Sequence, residues 1–396
     1  MRHIKSGTVS LIRSINRSSI LEFIRQSQPT TRTNVSEALD ISMPTVMRIV
    51  EDLIAEDLVR LGGHKESTGG RPPSLLEFNG EAYAAIGVDL GGGKMFGTLA
   101  DLAGNVQDEL YWPHKPGAND HLENLCELIE QLMSAPRPTD QRIRGIGIGA
   151  PGVTRVPEGV VTWAPSLGWR DLPLQDILSR RFDVPVTVEN DVNLAALGEW
   201  GFGVGRGIQN LVCISVGTGI GAGIVIGGSL HRGHDQAAGE IGYIPASTGD
   251  LGQCYDSFGA LESKASGTGI AARAQAKLAE EDLPIPEDPL TAEGVFAAAR
   301  RGEHWARVVV DETVDYLAMA IANVSAILNP EMVILGGGVA RSADLLVDPI
   351  ERRLSGVIPY VPRIVASELG RRAAVMGATM IVLQGTTDYL VVKRFN

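Results

Sequence analysis

Three glycine-rich turns carry the clearest chemical signal in this 396-residue sequence. They read Asp89-Leu90-Gly91-Gly92-Gly93-Lys94, Gly217-Thr218-Gly219-Ile220-Gly221 and Gly336-Gly337-Gly338. Each turn follows a short apolar run typical of a buried strand, and the first two lead into another strand. Successive backbone N–H groups in such turns can hold a phosphate group. The turns can also be tight hairpins without a ligand, and the residues leave both interpretations open.

The elements around the turns predict a duplicated α/β architecture with two lobes. Predicted strands are Ala84–Val88, Met95–Ala100, Ile143–Gly149, Val184–Val188, Leu211–Val216, Ala222–Ile226 and Met332–Leu335. Predicted helices are Leu122–Met133, Val192–Trp200 and Ala373–Leu383. The strand–turn–strand unit at 84–100 recurs at 211–226, which indicates that one plan occurs twice.

The N-terminal residues predict three short helices. The first spans Ile12–Ser27, and its apolar stripe comprises Ile12, Ile15, Ile20, Phe23 and Ile24. The second spans Arg32–Leu39, and the third begins at Ser42-Met43-Pro44, where serine can cap and proline fits the first turn. The short connection Asp40–Ser42 is typical of a helix-turn-helix. Helical spacing places Thr45, Met47 and Arg48 on the exposed face of the third helix.

Two predicted strands after the third helix enclose a polar, glycine-rich loop. The strands are Leu58–Leu61 and Ser74–Phe78, and the loop Gly62–Pro73 carries Lys65 and Arg71. A hairpin with a basic tip is a wing, and an arginine there can enter a narrow minor groove. We therefore expect Thr45, Met47, Arg48, Lys65 and Arg71 to contact double-stranded DNA. The alternative is a three-helix packing module with a solvated linker.

Charge and composition favour a cytoplasmic protein that meets DNA on one face. The net charge is −12, but residues 1–80 hold 10 basic and 9 acidic side chains against 25 and 38 in the remainder. The acidic bulk repels DNA, so binding would be confined to the N-terminal face. No apolar stretch is long enough to span a bilayer. Three widely spaced cysteines argue against a disulfide framework and fit a reducing cytoplasm.

The sequence resembles the ROK family of repressors, open reading frames and sugar kinases over nearly its whole length. The matching segments, in order, are Asn16-Arg17, Gly70-Arg71-Pro72, Asp89–Lys94, Ala150-Pro151-Gly152, Glu189-Asn190-Asp191, Gly217–Gly221, Gly239-Glu240-Ile241-Gly242 and Gly336–Ala340. The N-terminal module places it in the repressor branch, similar to regulators of N-acetylglucosamine and xylose use. The resemblance implies an actin-like fold with a sugar in the cleft between two lobes.

Together these features predict three domains. Residues 1–80 form a winged helix-turn-helix, and residues 81–195 form the first lobe of a sugar-kinase-like domain. Residues 196–396 form the second lobe, with the C-terminal helix returning to the first.

The resemblance also implies roles for residues in the cleft. Asp191 stands where the kinases of the family have the general base, and Asn190, Glu240 and Glu262 match residues that bind sugar hydroxyls. Ser166 replaces the usual sugar-binding asparagine, and Tyr243 replaces a histidine. Because Asp191 follows a predicted strand and opens a predicted helix, a helix-capping role stays open for it.

Several family features are missing from this sequence. Gly93 stands in place of the usual threonine of the first turn, which removes a hydroxyl donor. The family's zinc ligands are a histidine, matched by Tyr243, and three cysteines; Cys254 lies out of register with them. We therefore predict no zinc and no required cofactor, and ATP binding stays open.

These features favour a sugar-responsive transcription regulator of carbohydrate genes over an enzyme. A repressor is preferred to an activator. The alternative is an ATP-dependent sugar kinase that carries a DNA-binding module, and a scaffold without either activity is third. We expect a homodimer or a dimer of dimers on a two-fold operator, and Ala373–Leu383 is the suggested packing element.

Overall fold

A computed structural model describes residues 9–64, 74–91, 93–113, 120–138, 140–156, 158–255, 259–284 and 289–384. The N-terminal module begins with helices α1 (Val9–Ser27), α2 (Arg32–Leu39) and α3 (Met43–Ala55). Strands β1 (Val59–His64) and β2 (Ser74–Phe78) follow and pair antiparallel. The predicted connection between α2 and α3 is present, with Asp40 in the left-handed conformation. The winged helix-turn-helix prediction is confirmed.

The core of the module comes from one face of each helix. Helix α3 buries Val46, Ile49, Val50 and Leu53, the spacing of a single helical face. The prediction for Ile12 was wrong, because its side chain is 54% exposed. At this turn of α1 it is the next residue, Arg13, that faces the third helix, where it pairs with Asp52 at 2.8 Å.

Two five-stranded sheets form the large domain. The strands of the first are β3 (Tyr83–Leu90), β4 (Lys94–Asp101), β5 (Val106–Pro113), β6 (Arg142–Ala150) and β10 (Val186–Asn190). Those of the second are β11 (Leu211–Val216), β12 (Ile220–Ile226), β13 (Ser229–Leu230), β14 (Met332–Gly336) and β15 (Arg363–Ala366). A small sheet joins β7 (Val153–Arg155), β8 (Val160–Ala164) and β9 (Trp169–Leu172).

Both large sheets have the same strand order. The first runs β5-β4-β3-β6-β10 and the second β13-β12-β11-β14-β15. In each, the first three strands are antiparallel and the last two lie parallel to the central strand. This repetition confirms the predicted duplication and the actin-like fold. We call the part built on the first sheet the first lobe and the part built on the second sheet the second lobe.

Helices cover both sheets. They are α4 (His121–Ser134), α5 (Leu174–Arg181), α6 (Asp191–Phe202), α7 (Ala260–Ala265), α8 (Gly267–Glu280), α9 (Ala292–Arg301), α10 (His304–Leu328), α11 (Val347–Leu354) and α12 (Ala373–Gln384). None of the helices in the described ranges is long and apolar enough to cross a membrane.

Helices α6 and α12 pack against each other where the two lobes meet. Helix α6 lies on β11 and β12 of the second sheet, and α12 lies on β3 and β6 of the first. A Cβ added at Gly198 would stand 2.0 Å from the Ala373 carbonyl oxygen, and one at Gly377 would stand 1.8 Å from that of Leu194. Only glycine therefore fits at these two crossing points.

This position of α12 corrects the suggestion that it pairs with a second copy of the chain. Residues of α12 including Val375, Ala378 and Met380 have no exposed surface. The helix is apolar on all sides because α6 and the first sheet surround it, and it offers no free apolar face to a partner.

Candidate effector cleft

The strand ends of the first lobe bring the first group of cleft residues together. Strand β6 lies between β3 and β10 and runs parallel to both, so that Gly149 is level with Asp89 on one side and Glu189 on the other. Carboxyl ends of parallel strands are where α/β proteins bind ligands. Asp89, Asn190 and Asp191 therefore share one edge of the sheet.

Asn190, rather than Asp191, caps helix α6. The Asn190 side-chain oxygen accepts from the amides of Val192 at 2.9 Å and Asn193 at 3.0 Å. The Asn190 Nδ2 atom donates to the carbonyl of Gly152 at 2.9 Å. Most of the hydrogen-bonding capacity of Asn190 is thus used within the protein, so this side chain shapes the cleft wall. Asp191 is the first helical residue, and its carboxyl accepts locally from the Val192 amide at 2.9 Å.

The second lobe supplies the opposite wall. Glu240 precedes a 3-10 turn, Ile241–Tyr243, and Glu262 lies on α7. A Cβ added at Gly219 would lie 2.1 Å from Glu262 Oε1, and one at Gly242 would lie 2.9 Å from Oε2, so Glu262 is held between two glycine backbones. Tyr243 is 43% exposed.

Electrostatic interactions link these residues across the cleft. Burial, together with the charges of Asp89 and Glu240, raises the pKa of Asp191 to about 8. Burial also raises the pKa of Asp89, to about 6, although Lys94 opposes this. The pKa values of Glu240 and Glu262 are raised mainly by burial, and the pKa of Tyr243 is raised by burial and by both glutamates. The cleft therefore contains a cluster of carboxyl groups, and their raised pKa values mean that it favours the neutral form of each.

The raised pKa of Asp191 predicts a dependence of stability on pH. Its carboxyl has an ordinary value of 3.8 and a folded-state value of about 8, so the folded state binds the proton more tightly. Stability contributed this way is present at low pH and is lost as pH rises toward the folded-state pKa. We expect Asp191→Asn to raise the melting temperature more at about pH 8.5 than at about pH 6. A difference in melting temperature between the two proteins that stays the same across this pH range would contradict the raised pKa of Asp191.

The glycine turns use part of their backbone internally. The Gly91 amide donates to the Lys94 carbonyl at 2.9 Å and closes the β3–β4 hairpin, and the Gly217 amide donates to the Gly219 carbonyl at 2.9 Å. Thr218 lies exposed in this second turn, and its carbonyl accepts from the Thr268 hydroxyl at 3.1 Å. The amides of Gly91 and Gly217 are thus bonded within their own turns and do not face a phosphate, which supports the hairpin interpretation at these two positions.

The second and third turns lie side by side. Ser215 and Gly336 are level on the paired strands, and a Cβ at Gly337 would lie 2.3 Å from the Val216 carbonyl oxygen. Gly338 follows in open space. Gly92 of the first turn lies outside the described residues.

Two further residues were assessed differently from the sequence: Ser166 was predicted to bind the sugar, whereas Arg232 was not predicted to have a role. Ser166 is exposed in a 3-10 turn, Pro165–Leu167. Arg232, on the loop that leads to Glu240, donates to Glu189 at 2.7 Å, and the Glu189 side chain is 1% exposed. This buried ion pair joins the second-lobe loop to the strand that precedes Asp191. An arginine seven residues before the Gly239-Glu240 motif was its only sequence signal.

The loop that aligns with the family's zinc site has a different organisation. Asp250 accepts hydrogen bonds from the Ser247 amide at 2.6 Å and from the Tyr255 hydroxyl at 2.7 Å. Cys254 is exposed. Within the described ranges, which omit 256–258, no three His, Cys, Asp or Glu side chains converge as metal ligands. The residues described here do not fit a zinc site.

The predicted DNA-binding residues of α3 lie on its outer face. Met47 is 46% exposed, Arg48 is exposed, and Thr45 is half-buried with its hydroxyl 2.8 Å from that of Ser42. The predicted wing residues Lys65 and Arg71 lie outside the described residues.

Comparison with known proteins decides the family. The model of the ROK family matches residues 85–385. The chain belongs to the ROK family. Among its relatives, the xylose repressor of Caldicellulosiruptor bescii is 33% identical over an alignment of 394 positions that covers 97% of this chain and 99% of the repressor. The glucokinase of Halalkalibacterium halodurans is 36% identical over 314 residues, 76% of this chain and 94% of the kinase.

Solved structures of the family divide in the same way. A ROK family transcriptional regulator, a homologue of the E. coli MLC protein, matches with a TM-score of 0.79 and 26% identity over 94% of this chain and 97% of its own. A ROK family glucokinase from Streptomyces griseus, solved with glucose and AMPPNP, matches with a TM-score of 0.67 and 29% identity over 75% and 98%. The regulators thus match almost the whole chain, whereas the kinases match about three quarters of it, a length similar to that of the two lobes.

Proposed function

We propose that this protein is a sugar-responsive transcriptional regulator, with repression its preferred sign. The observation that carries the proposal is the combination of a winged helix-turn-helix with a sugar-kinase-like cleft in one chain. The full-length match to a xylose repressor supports it. The protein would act in the cytoplasm as a homodimer or a dimer of dimers, since one recognition helix reads only a few base pairs. Its dimer contacts would lie outside α12.

The effector would be an uncharged sugar rather than a sugar phosphate. Asp89, Asp191, Glu240 and Glu262 cluster in the cleft, and carboxyl groups can both accept from hydroxyls and, when neutral, donate to them. A phosphate group would add a further negative charge to this cluster, which is unfavourable. The charge of the nearby Arg232 guanidinium is balanced by Glu189, to which its Nε atom donates at 2.7 Å, while its buried Nη2 atom has no hydrogen-bond partner among the described residues.

Selection of DNA from a random duplex library tests this function. The full-length protein should enrich a two-fold symmetric site, and D-xylose or D-glucose should change its affinity for that site by about tenfold or more. D-Glucose 6-phosphate should have no effect. Failure to enrich any sequence would contradict the regulator, and an enriched site that responds only to the phosphate would contradict the uncharged effector.

Operator binding should depend on Arg48. Its side chain is exposed on α3, where it can reach a base edge or a phosphate. We expect Arg48→Ala to weaken operator binding by about 1–3 kcal/mol if it contacts a base. If Arg48 instead contacts a phosphate, the substitution should reduce the slope of log affinity against log salt concentration by about one. The matched control is Arg353→Ala, which removes an arginine paired with Asp315 on the second lobe and should not change binding.

Phosphotransfer would be inefficient in this cleft. The first turn has Gly93 where the family places a threonine hydroxyl, and loss of one transition-state donor costs about 10²–10³ in rate. The rival function, an ATP-dependent sugar kinase, is favoured by the retained Asp191. Turnover with ATP and the effector sugar should stay below about 1 s⁻¹, the lower end of ordinary enzymes. Faster turnover would favour the kinase.

The proposal requires neither zinc nor another cofactor. Hydrogen bonds of Ser247 and Tyr255 to Asp250 organise the loop that zinc holds in other family members.

A further inference from the structure

The DNA-binding module contacts the first lobe and also helix α6, which lies between the lobes. The C-terminal end of α3 meets the first lobe, and the C-terminal end of α1 meets helix α6. A ligand that changes the relative position of the lobes can shift α6, which contacts both, while the contact on the first lobe keeps its place.

The contact with the first lobe is centred on Glu56. Its backbone carbonyl accepts from the Tyr83 hydroxyl at 2.9 Å, and its carboxylate lies 3.5 Å from the Arg144 guanidinium. Arg17 of α1 donates to the same carboxylate at 2.7 Å. Tyr83 and Arg144 lie on β3 and β6, the strands whose other ends carry Asp89 and Gly149 of the cleft. This contact fixes the recognition helix to the first sheet.

The contact with α6 is centred on Arg25. Its Nη1 atom donates to the Gly201 carbonyl at 3.2 Å, and its guanidinium carbon lies 5.4 Å from the centre of the Phe202 ring. Gly201 is in the last turn of α6, where carbonyl groups lack helical partners and a cation is favoured. A cation over an aromatic ring adds to the attraction.

Arg25 is held rigidly for this role. Two hydrogen bonds join it to Glu22, at 2.9 and 2.6 Å, and the two side chains are only 10% and 3% exposed. Gln26 donates to the same carboxylate at 2.7 Å. A planar guanidinium bound at two points has little freedom to follow a displaced partner. The α6 contact is therefore sensitive to the position of Gly201.

Helix α6 itself joins the cleft to this contact. Its first residue is Asp191, and Phe202 is its last. A Cβ at Gly223 would lie 2.7 Å from the Val192 carbonyl oxygen, so α6 lies directly on β12 of the second lobe. Near its other end, Glu199 accepts from Ser367 at 2.5 Å and from the Leu369 amide at 2.9 Å, just after β15. Helix α6 thus lies between the lobes: these contacts join it to the second sheet, and its crossing with α12 joins it to the first lobe.

We propose that Arg25 couples effector binding to DNA binding by contacting the C-terminal end of α6 at Gly201 and Phe202. The inference rests on the proposed sugar response. When a ligand bound to Asp89 and Asp191 draws the second lobe toward the first, α6 shifts between the two lobes and carries Gly201 with it, while Glu56 stays on β3 and β6 of the first lobe. The module then turns relative to its position in the ligand-free protein, and operator affinity changes. Arg25 is a positioning residue, since it touches neither sugar nor DNA in this arrangement.

Two variants of the full-length protein test the coupling. Phe202→Leu removes the ring under the guanidinium and leaves Arg25 and Glu22 in place. Arg25→Met combined with Glu22→Gln removes the ion pair without leaving a buried unpaired carboxylate. The matched control is Arg13→Met, because Arg13 pairs with Asp52 inside the module at 2.8 Å and touches neither lobe through that bond.

The readout is operator affinity with and without D-xylose or D-glucose, together with sugar binding by calorimetry. Wild type and Arg13→Met should show the same sugar-induced change, about tenfold or more. Both coupling variants should bind the sugar with an affinity within about twofold of wild type. In these variants, however, the sugar should change operator affinity by less than about threefold, so that the sugar binds without its normal effect on DNA binding. A wild-type response in both variants would overturn the coupling. A wild-type protein that binds a sugar without any change in operator affinity would overturn the proposed function as well.

Discussion

Replacing Asp191 with alanine should abolish the effect of the sugar on operator binding and leave binding of the sugar-free protein to the operator intact. Asp191 lies in the cleft at the start of α6, at the opposite end of the first sheet from the strand ends that contact Glu56, and its carboxyl accepts from the neighbouring Val192 amide. A hydrogen bond to a charged or buried group is worth about 1.5–3 kcal/mol, so sugar affinity should fall about 10- to 100-fold. Calorimetry gives the sugar affinity, and operator titrations with and without sugar give the response.

The fold should tolerate this substitution. Burial and the nearby charges of Asp89 and Glu240 raise the pKa of Asp191, so its removal relieves an unfavourable interaction. Asn190 still caps the helix. The matched control is Asp176→Ala, which removes an exposed aspartate from the first turn of α5 and should leave the response unchanged. An Asp191→Ala protein that keeps a full sugar response would remove this carboxyl from the effector site.

Local signals predicted most of the fold. Proline at the start of α3 and the three- and four-residue spacing of its apolar side chains act within one helix, and they placed the helix-turn-helix correctly, whereas Ser42 stands at the N-cap position without the capping hydrogen bond expected of it. The repeated strand–glycine turn–strand unit predicted two lobes, because a strand pair carries its pattern within a few residues. These signals depend on the backbone and on neighbours along the chain, which the sequence displays directly.

Features that depend on distant partners were less accessible. The apolar residues of α12 indicate burial, but they cannot show whether α6 or a second chain covers them. Asn190 and Asp191 can each cap a helix, and only the position of Gly152 beside the Asn190 amide shows how the first is held. The ion pair of Glu189 and Arg232 joins residues 43 positions apart. The contact of Arg25 with Gly201 spans 176 positions.

The close contact of α6 with α12 predicts the largest loss of stability. We expect Gly377→Ala to destabilise the protein by about 3 kcal/mol or more, at or above the usual range for an overpacked core. The added Cβ would lie 1.8 Å from the Leu194 carbonyl oxygen and 2.6 Å from its carbon, and backbone atoms cannot rotate away. The two helices must separate, and with them the sheets on which they lie. Denaturant unfolding of the full-length protein measures the effect.

The same substitution in another helix separates crowding from helix propensity. At Gly294 in α9, the nearest atom to an added Cβ is the Thr291 hydroxyl oxygen at 3.5 Å, an ordinary contact. Gly294→Ala should therefore be neutral or stabilise the protein by up to about 1 kcal/mol, because alanine is the better helix former. Gly198→Ala should repeat the loss at the second crossing point, where the Ala373 carbonyl oxygen would lie 2.0 Å away. If Gly377→Ala and Gly198→Ala were as stable as Gly294→Ala, the two helices could not pack backbone to backbone, and α6 would lose its close attachment to the first lobe.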